Sequence, residues 1–180
     1  ILVNNSSETL SFYIENFIGT IYLDTFISTS SNNYQRISNN IKLTTQSHSN
    51  NDKDFIINSL SKIDNLIDLD FLEYNTNNGS NIDIYSVSHS SSFGKNVIGQ
   101  AISQTNSAGH WWEILWKDTD NKSTFSLLDQ HTIVHEIGHI LGLSHPYEDP
   151  FNQKWNTDDT VMSYNQGKNG WNTWFTQADI

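Results

Sequence analysis

Basic residues, cysteine and long apolar runs are what this sequence has least of. Nine lysines and arginines stand against 20 aspartates and glutamates, which gives a formal net charge of −11 at pH 7. A surface of this sign repels nucleic acid and anionic lipid, so neither is expected as a partner. The absence of cysteine excludes a disulfide framework but does not decide the compartment. No apolar run approaches the ~18 residues of a transmembrane helix, so no membrane span is expected.

The composition is that of a globular chain with a sizeable core. Hydrophobic residues make up 36% and aromatic residues 12% of its 180 residues. No repeat or linker divides the sequence, so residues 1–180 are expected to form one domain. Because the first residue is Ile1 and not methionine, we expect that a leader, propeptide or upstream region has been removed, or that the chain is an excised domain.

Hydrophobic periodicity predicts five strands and two helices. The strands are predicted at residues 9–17, 69–74, 81–87, 97–103 and 111–116. A first long amphipathic helix is expected to begin at Asn51 and Asp52, and a second helix is expected over residues 126–141. The Ser/Asn-rich region at residues 28–51 has no strong periodicity. A turn signal at residues 77–80 leaves a simple hairpin between the second and third strands as an alternative.

Three histidines and a glutamate are concentrated in residues 135–145. His135 and His139 are four residues apart, so on a helix they lie on one face about 6 Å apart along the axis and can point at one ion. Glu136 directly follows His135 on the helix. Its carboxylate is therefore expected beside the ion and not on it, where a general base for a zinc-bound water belongs. A buried helix with ordinary histidines is the alternative, but it would leave several polar groups in need of partners.

Gly142 allows His145 to be the third ligand. A residue without Cβ can take the left-handed conformation that ends a helix and turns the chain, so His145 can swing back to the ion. Neutral imidazoles at this spacing suit tetrahedral zinc. Three protein ligands leave one position open, which distinguishes a catalytic zinc site from a closed structural one.

The only methionine of the chain, Met162, lies downstream in Thr160-Val161-Met162-Ser163-Tyr164. Together the two segments resemble the metzincin metallopeptidases, because every fixed position of H-E-x-x-H-x-x-G-x-x-H and a later methionine turn is present. Residues 142–146 and 162–164 are most similar to the serralysins, with the matrixins and astacins next.

The resemblance implies an α/β (α+β) fold. This is a metzincin-like zincin domain with a twisted, mixed five-stranded sheet, a long packing helix and a zinc-binding active-site helix. It implies an N-terminal subdomain of about residues 1–145 and a small C-terminal subdomain of about residues 146–180. In such domains the fourth strand is a free edge that pairs with extended substrate. The implied substrate-binding residues are Ile98, Gly99, Gln100 and Ala101.

The resemblance also implies roles around the methionine turn. Tyr164 would ligate zinc at rest and swing to stabilise the oxyanion, although a packing role is the alternative. Met162 would pack beneath the imidazoles as a structural residue. Residues 165–174 would form one wall of a specificity pocket with Trp171 and Trp174 as apolar lining, unless both tryptophans pack inward.

Other polar groups have plainer interpretations. His131 lies about 12 Å along the helix from His139, too far to share an ion. The remaining histidines lie in polar stretches and are expected at the surface: His48, His89 and His110. Asp118-Thr119-Asp120-Asn121 alternates carboxylates as calcium loops do, yet Ser123 replaces the expected glycine. This departure argues against a calcium loop, so one catalytic zinc is the expected ion and calcium at this loop is kept only as an alternative.

We expect a secreted, monomeric zinc-dependent endopeptidase that hydrolyses peptide bonds of extended protein substrates, with Glu136 as general base. One alternative is a processing peptidase of narrow specificity. The other, from a different class, is a zinc-containing protein-binding module with little proteolysis. The intact Glu136 argues against the module, which would gain nothing from a general base.

Overall fold

The computed structural model describes residues 8–30, 33–120 and 126–180 of the chain. Within these ranges the chain forms a mixed sheet, two α-helices and a short 3₁₀ turn. In chain order they are β1 (Thr9–Ile14), β2 (Gly19–Ser30), β3 (Asn33–Gln46), α1 (Asn50–Asp64), β4 (Asp70–Glu73), β5 (Ile82–Ser90), β6 (Gly99–Asn106), β7 (Gly109–Trp116), α2 (Leu127–Ile140) and the 3₁₀ turn Pro146–Glu148.

Strand β5 is the centre of the sheet. One edge of β5 pairs in parallel with β7, and the other pairs in parallel with β1 and then antiparallel with β3. Beyond these, β4 runs parallel to β1, β2 runs antiparallel to β3, and β6 runs antiparallel to β7. Both β4 and β5 pair with β1, so the alternative of a hairpin between them is wrong. Among the described strands β6 pairs with β7 alone, which makes it an edge strand.

The two faces of the sheet are covered differently, because side chains alternate along each strand. Ile82 and Ile84 of β5 face the side where α1 and α2 pack, in the larger hydrophobic core. Tyr85 and Val87 face the other side, where they pack with Leu43 and other residues of the β2–β3 hairpin. The sheet therefore separates a helical layer from a hairpin layer.

Both helices begin at a serine cap. Ser49 and Asp52 form a reciprocal capping box at the start of α1, with backbone-to-side-chain distances of 2.6 and 3.2 Å. The Ser126 side chain accepts from the Asp129 backbone N–H at the start of α2. Helix α2 is buried on nearly all sides, because the sheet lies on one flank and the methionine-turn region on another.

The predicted fold class is confirmed, and one part of its description is corrected. The described residues form a seven-stranded sheet and not a five-stranded one. The additional strands β2 and β3 form a long hairpin that includes most of the Ser/Asn-rich region. The outer half of the hairpin is largely exposed and polar, and the buried side chains lie in its inner half, at Leu23, Ile41, Leu43 and Thr45. The sequence therefore shows no clear alternation over the full length of these strands. The division into subdomains near residue 145 stays a prediction. No described helix is long and apolar enough to cross a membrane.

Candidate metal centre

Helix α2 and the turn after it position the three histidines. His135 and His139 project from one face of the helix, and their rings lie edge to face with centroids 4.8 Å apart. Gly142 then has a φ of +97°, which ends the helix as the sequence predicts. The Leu143 N–H donates to the Gly138 carbonyl at 3.0 Å and closes the reversal. His145 is carried back to the same point by this turn.

The ring nitrogens converge as a metal site requires. One ligand nitrogen from each of His135, His139 and His145 lies within 4.8 Å of the other two. Nε2 of His135 is 3.2 Å from Nε2 of His145. Two ligands of a tetrahedral zinc with bonds of 2.0–2.1 Å are about 3.3 Å apart, so this spacing fits the ion.

Backbone carbonyls select the tautomer that leaves Nε2 available. Nδ1 of His135 lies 2.9 Å from the Val161 oxygen, and Nδ1 of His139 lies 2.9 Å from the Leu143 oxygen. A carbonyl can only accept, so each Nδ1 carries the proton and each Nε2 presents a lone pair. Burial lowers the pKa of His135 far below its ordinary value, and it lowers the pKa of His139 and His145 as well. Neutral imidazoles are the form that binds zinc.

Glu136 is buried beside the cluster. Burial raises the pKa of its carboxyl to about 8, against the opposing effect of a hydrogen bond from the Ala101 backbone. Its Oε2 is buried and has no hydrogen-bond partner in the described part of the chain. A buried acceptor without a partner is where a water or another proton donor can be held, and this fits a general base.

Strand β6 approaches Glu136 closely. A Cβ on Gly99 would lie 2.6 Å from Cγ2 of Thr132 and would also meet the Glu136 carboxylate, so a larger residue there would force the strand or these side chains to shift. The Ala101 backbone bonds to Glu136. The predicted edge strand therefore lies at the Glu136 carboxylate.

The other two predicted substrate-binding residues are engaged elsewhere. The Ile98 carbonyl accepts from the Lys117 N–H at 2.8 Å, on the β7 side, and Ile98 precedes the first residue of β6. The Gln100 side chain accepts from the Ser92 hydroxyl at 2.6 Å. Contact of these residues with substrate stays a prediction.

Tyr164 lies against the imidazoles. Its ring centroid is 5.2 Å from that of His135 and 5.1 Å from that of His145, and Phe151 packs edge-on against it at 5.2 Å. Burial, and secondarily the nearby Glu136, raise the pKa of its phenol. The structure therefore brings Tyr164 beside the histidines, while its catalytic role stays a prediction.

Met162 packs beneath α2. A Cβ on Gly138 would lie 2.7 Å from the Met162 sulfur, so the thioether occupies space that only glycine leaves open. The turn is anchored by a residue that sequence reasoning missed, Asp179. Its carboxylate accepts from the Thr160 hydroxyl at 2.5 Å and from the Val161 N–H at 3.0 Å. The sequence feature that could have drawn attention to Asp179 is its capping-type spacing from Thr176. In the structure the Thr176 backbone N–H donates to the Asp179 carboxylate at 2.8 Å.

The tryptophans after the turn have separate positions. Trp171 lies 5.1 Å from His131, whose Nδ1 is bonded to the Asn172 carbonyl at 2.8 Å. Trp174 packs against the larger core, with the Lys62 ammonium 4.9 Å from its ring. The inward packing that the sequence left open therefore applies to Trp174.

Of the histidines expected at the surface, only His89 is exposed. His48 is buried, and its ring nitrogens contact the Glu15 carbonyl at 2.8 Å and the Trp116 indole at 3.1 Å. His110 is half-buried, with Nδ1 2.9 Å from the Thr105 hydroxyl. The surface expectation was wrong for His48, because contacts distant in sequence bury it. It was wrong in part for His110, which packs against Thr105 and Trp112 of the same β6–β7 hairpin. His131 is buried but outside the three-histidine cluster, as expected.

A second group of potential ligands is acidic. Asp118, Asp120 and Asp129 each bring a carboxylate oxygen within 4.8 Å of the others. Asp129 also accepts from the Thr119 N–H and hydroxyl, at 3.1 and 2.6 Å. Asn121 and Ser123, the rest of the predicted loop, lie outside the described residues.

Residues 20–146, more than half of the chain, match the model of the metallo-peptidase family M12B, reprolysin-like. The chain belongs to this family. The predicted metzincin assignment is thereby confirmed, while the closer resemblance to the serralysins and matrixins finds no support in the match. No individual curated protein matches the chain.

For an M12B reprolysin-like peptidase the histidine cluster is the expected zinc site, and the matched range includes all three histidines and Glu136. Met162 and Tyr164 lie beyond the matched range, so their roles rest on geometry and resemblance alone.

Proposed function

We propose that this M12B metallopeptidase is a zinc-dependent endopeptidase that cleaves extended segments of protein substrates. The observation that carries the proposal is the convergence of three Nε2 atoms beside a buried Glu136, directly next to an edge strand. His135, His139 and His145 would hold the ion.

The chain's own residues supply the proton transfers. Zinc at this site would supply a Lewis acid that polarises the scissile carbonyl and makes water acidic near pH 7. Glu136 accepts a proton from the water whose oxygen attacks the carbonyl carbon. As the C–N bond breaks, Glu136 passes that proton to the leaving nitrogen. A bound Zn²⁺ would favour the ionised form of Glu136 over the protonated form that burial alone favours, and the ionised carboxylate is the form that accepts a proton.

The edge strand supports the choice of an extended substrate. Strand β6 pairs only with β7 among the described strands, so its outer edge can add a substrate strand through backbone hydrogen bonds. Such bonds do not depend on side chains, and the nearby Gly99 and Ala101 hold this edge at Glu136. Cleavage should therefore occur in flexible or unfolded segments.

The finer proposals rest on resemblance. We propose that the enzyme is secreted, that it acts as a monomer, and that Tyr164 stabilises the developing oxyanion from its place beside His135 and His145. Calcium binding at Asp118, Asp120 and Asp129 is a further prediction that follows from their carboxylate cluster.

Digestion of an unbiased peptide library tests the proposal. We expect many peptides to be cut internally, cleavage to stop with a chelator, and added zinc to restore it. Cleavage of a single sequence would indicate the narrow-specificity peptidase instead. A protein that holds zinc but cuts no peptide would indicate the binding module and contradict the proposal.

Metal analysis tests the ligand assignment separately. We expect close to one zinc per chain, and His145→Ala should weaken zinc binding by at least about 100-fold because one of three ligands is lost. His89→Ala is the matched control, since His89 is exposed and outside the cluster. Equal zinc affinity in the two variants would rule out His145 as a ligand.

A further inference from the structure

A second concave site lies on the hairpin side of the sheet, opposite the face that packs against α2. It is a cavity of about 950 Å³, bounded by β2, by residues 77–81 and by the turn between β6 and β7. Asp83 and Tyr85 line it, and their neighbours Ile82 and Ile84 point into the helical layer on the other face. A volume near 1,000 Å³ is ordinary for a small-molecule site.

Two acidic side chains are buried together in this cavity. Asp83 and Glu113 are direct partners in the parallel β5–β7 register, so both project from the same face. Asp83 is 4% exposed and Glu113 is 5% exposed. The Trp111 indole donates to Oε1 of Glu113 at 2.9 Å. Oε2 of Glu113 is buried and has no hydrogen-bond partner in the described ranges, although it borders the cavity.

No described residue supplies a positive charge to this pair. The cavity lining contains neither lysine nor arginine. Arg36, on the neighbouring hairpin, is already paired with the Asp24 carboxylate at 2.5 Å. Burial, and secondarily the charge of Glu113, raise the pKa of Asp83 to about 8. Burial also raises the pKa of Glu113, against the opposing hydrogen bonds of Trp111 and Tyr85. A cation bound from outside the chain would offset the free-energy cost of burying two ionised carboxylates.

The surroundings favour an organic cation over a metal ion. In the described part of the chain, neither group that gathers three metal-ligand atoms includes Asp83 or Glu113. The rings of Phe26 and Trp111 line the cavity and meet edge to face at 5.5 Å, which offers an apolar wall next to the carboxylates. Carboxylates beside aromatic rings are a common setting for ammonium and guanidinium groups.

We propose that this cavity binds an organic cation, either a primary ammonium or a guanidinium. Its charge would pair with Glu113 and Asp83, and its apolar stem would lie along Phe26 and Trp111. The site is separate from the metal centre and does not depend on peptidase activity. The ligand can be a free amine or the basic side chain of a protein, and both present the same chemistry to the cavity.

The Trp111 indole N–H is a direct probe, because it donates to Glu113. Its NMR signal, assigned with Trp111→Phe, should shift when the zinc-loaded protein is titrated with 1,4-diaminobutane or with N-acetyl-arginine methylamide. Binding of the diamine alone identifies a free amine as the source, and binding of the arginine compound alone identifies a side chain. N-acetyl-citrulline methylamide, the neutral counterpart of the arginine compound, should not bind.

Variants separate the cavity from general attraction to a protein of net charge −11. Glu113→Gln keeps an acceptor for Trp111 but removes the charge, so it should weaken binding at least about tenfold. Ala108→Lys places a cation at the exposed rim and should weaken binding similarly without a change in the core. Asp68→Asn, at an exposed site on the helical side, should change affinity less than about twofold.

Three results would overturn the proposal. They are the absence of a shift with either cation, a shift caused by Ca²⁺ but by neither organic cation, and equal weakening by Asp68→Asn and Glu113→Gln. Thermal unfolding of each variant verifies that it is folded.

Discussion

Tyr164 lies against two of the three clustered imidazoles and is 38% exposed, so it is near the metal centre and also reaches the solvent. If its hydroxyl donates to the developing oxyanion, Tyr164→Phe should lower kcat by about 10- to 1,000-fold with a smaller change in KM. The reason is that this hydrogen bond strengthens in the transition state. Steady-state kinetics on one good peptide measures both constants.

Phe151→Leu is the control for the Tyr164 experiment, because Phe151 packs on the same ring without a hydroxyl of its own. An unaltered kcat in Tyr164→Phe would show that Tyr164 only packs.

Asp83 gives a pH prediction. Burial, the neighbouring Glu113 and the more distant Glu15 raise its pKa to about 8, against the opposing hydrogen bond from Ser80. The folded state therefore holds a proton that the unfolded chain releases near pH 4. The resulting stability is present below about pH 4 and is lost as the pH rises through 8.

Asp83→Asn should reduce the loss of folding stability as the pH rises, because asparagine does not titrate. For a domain of this size each kcal/mol corresponds to about 2–4 °C in Tm, so wild type should lose several degrees between pH 5 and pH 8.5. The asparagine variant should lose fewer, whereas the exposed Asp54→Asn should follow wild type. Thermal unfolding across this range checks the prediction, and parallel curves for Asp83→Asn and wild type would contradict it.

At the residue scale, what could be predicted was local in sequence. The spacing of His135, His139 and His145 is set by one helix and one turn, so the pattern predicts their convergence. The pairing of Asp83 with Glu113 depends on the register of two strands that are 30 residues apart. Burial of His48 depends likewise on Trp116. Neither contact can be predicted from the periodicity of the sequence.

At the scale of elements, the approach of β6 to α2 is set by Gly99. Gly99→Ala would push a methyl group against Thr132 and the Glu136 carboxylate, so the strand or the carboxylate must shift. A displacement of about 1 Å can cost about 100-fold in rate, so kcat/KM should fall toward that extent while the zinc content stays unchanged. Peptide hydrolysis and metal analysis of the same preparation check this.

Gly94→Ala is the matched control for Gly99→Ala. A Cβ at Gly94 would make only an ordinary contact at 3.5 Å with the Val97 side chain. If Gly99→Ala were as active as Gly94→Ala, the close approach of β6 to Glu136 would have no role in catalysis.

Elements with one buried face were predicted well, and the exposed hairpin was not. Helix α1 has apolar residues at helical spacing, which the sequence shows, and its start was predicted at Asn51 and Asp52. The structure places the cap at Ser49, so the helix begins at Asn50. Strands β2 and β3 are stabilised by cross-strand hydrogen bonds over ten paired positions, while most of their side chains face water. Backbone pairing of this kind is independent of side chains, so a Ser/Asn-rich sequence does not reveal it.

At the scale of the whole molecule, one sheet separates two sites with different chemistry. The helical face carries the histidines and Glu136, and the hairpin face carries the acidic cavity. The sequence predicted the first site and its fold class, because metal-ligand spacing is a strong local pattern. The second site arises from packing of the hairpin on the sheet, which only the three-dimensional structure shows.

The most direct test of the account is peptide hydrolysis by zinc-loaded Glu136→Ala. The substrate should be an unfolded protein, and wild type and the exposed-site variant Glu73→Ala should carry the same amount of zinc. We expect Glu136→Ala to keep the zinc and the fold but to lose about 10²- to 10⁴-fold in rate, because only the proton transfer is removed. Turnover by zinc-loaded Glu136→Ala equal to that of Glu73→Ala would contradict the assignment of Glu136 as the general base.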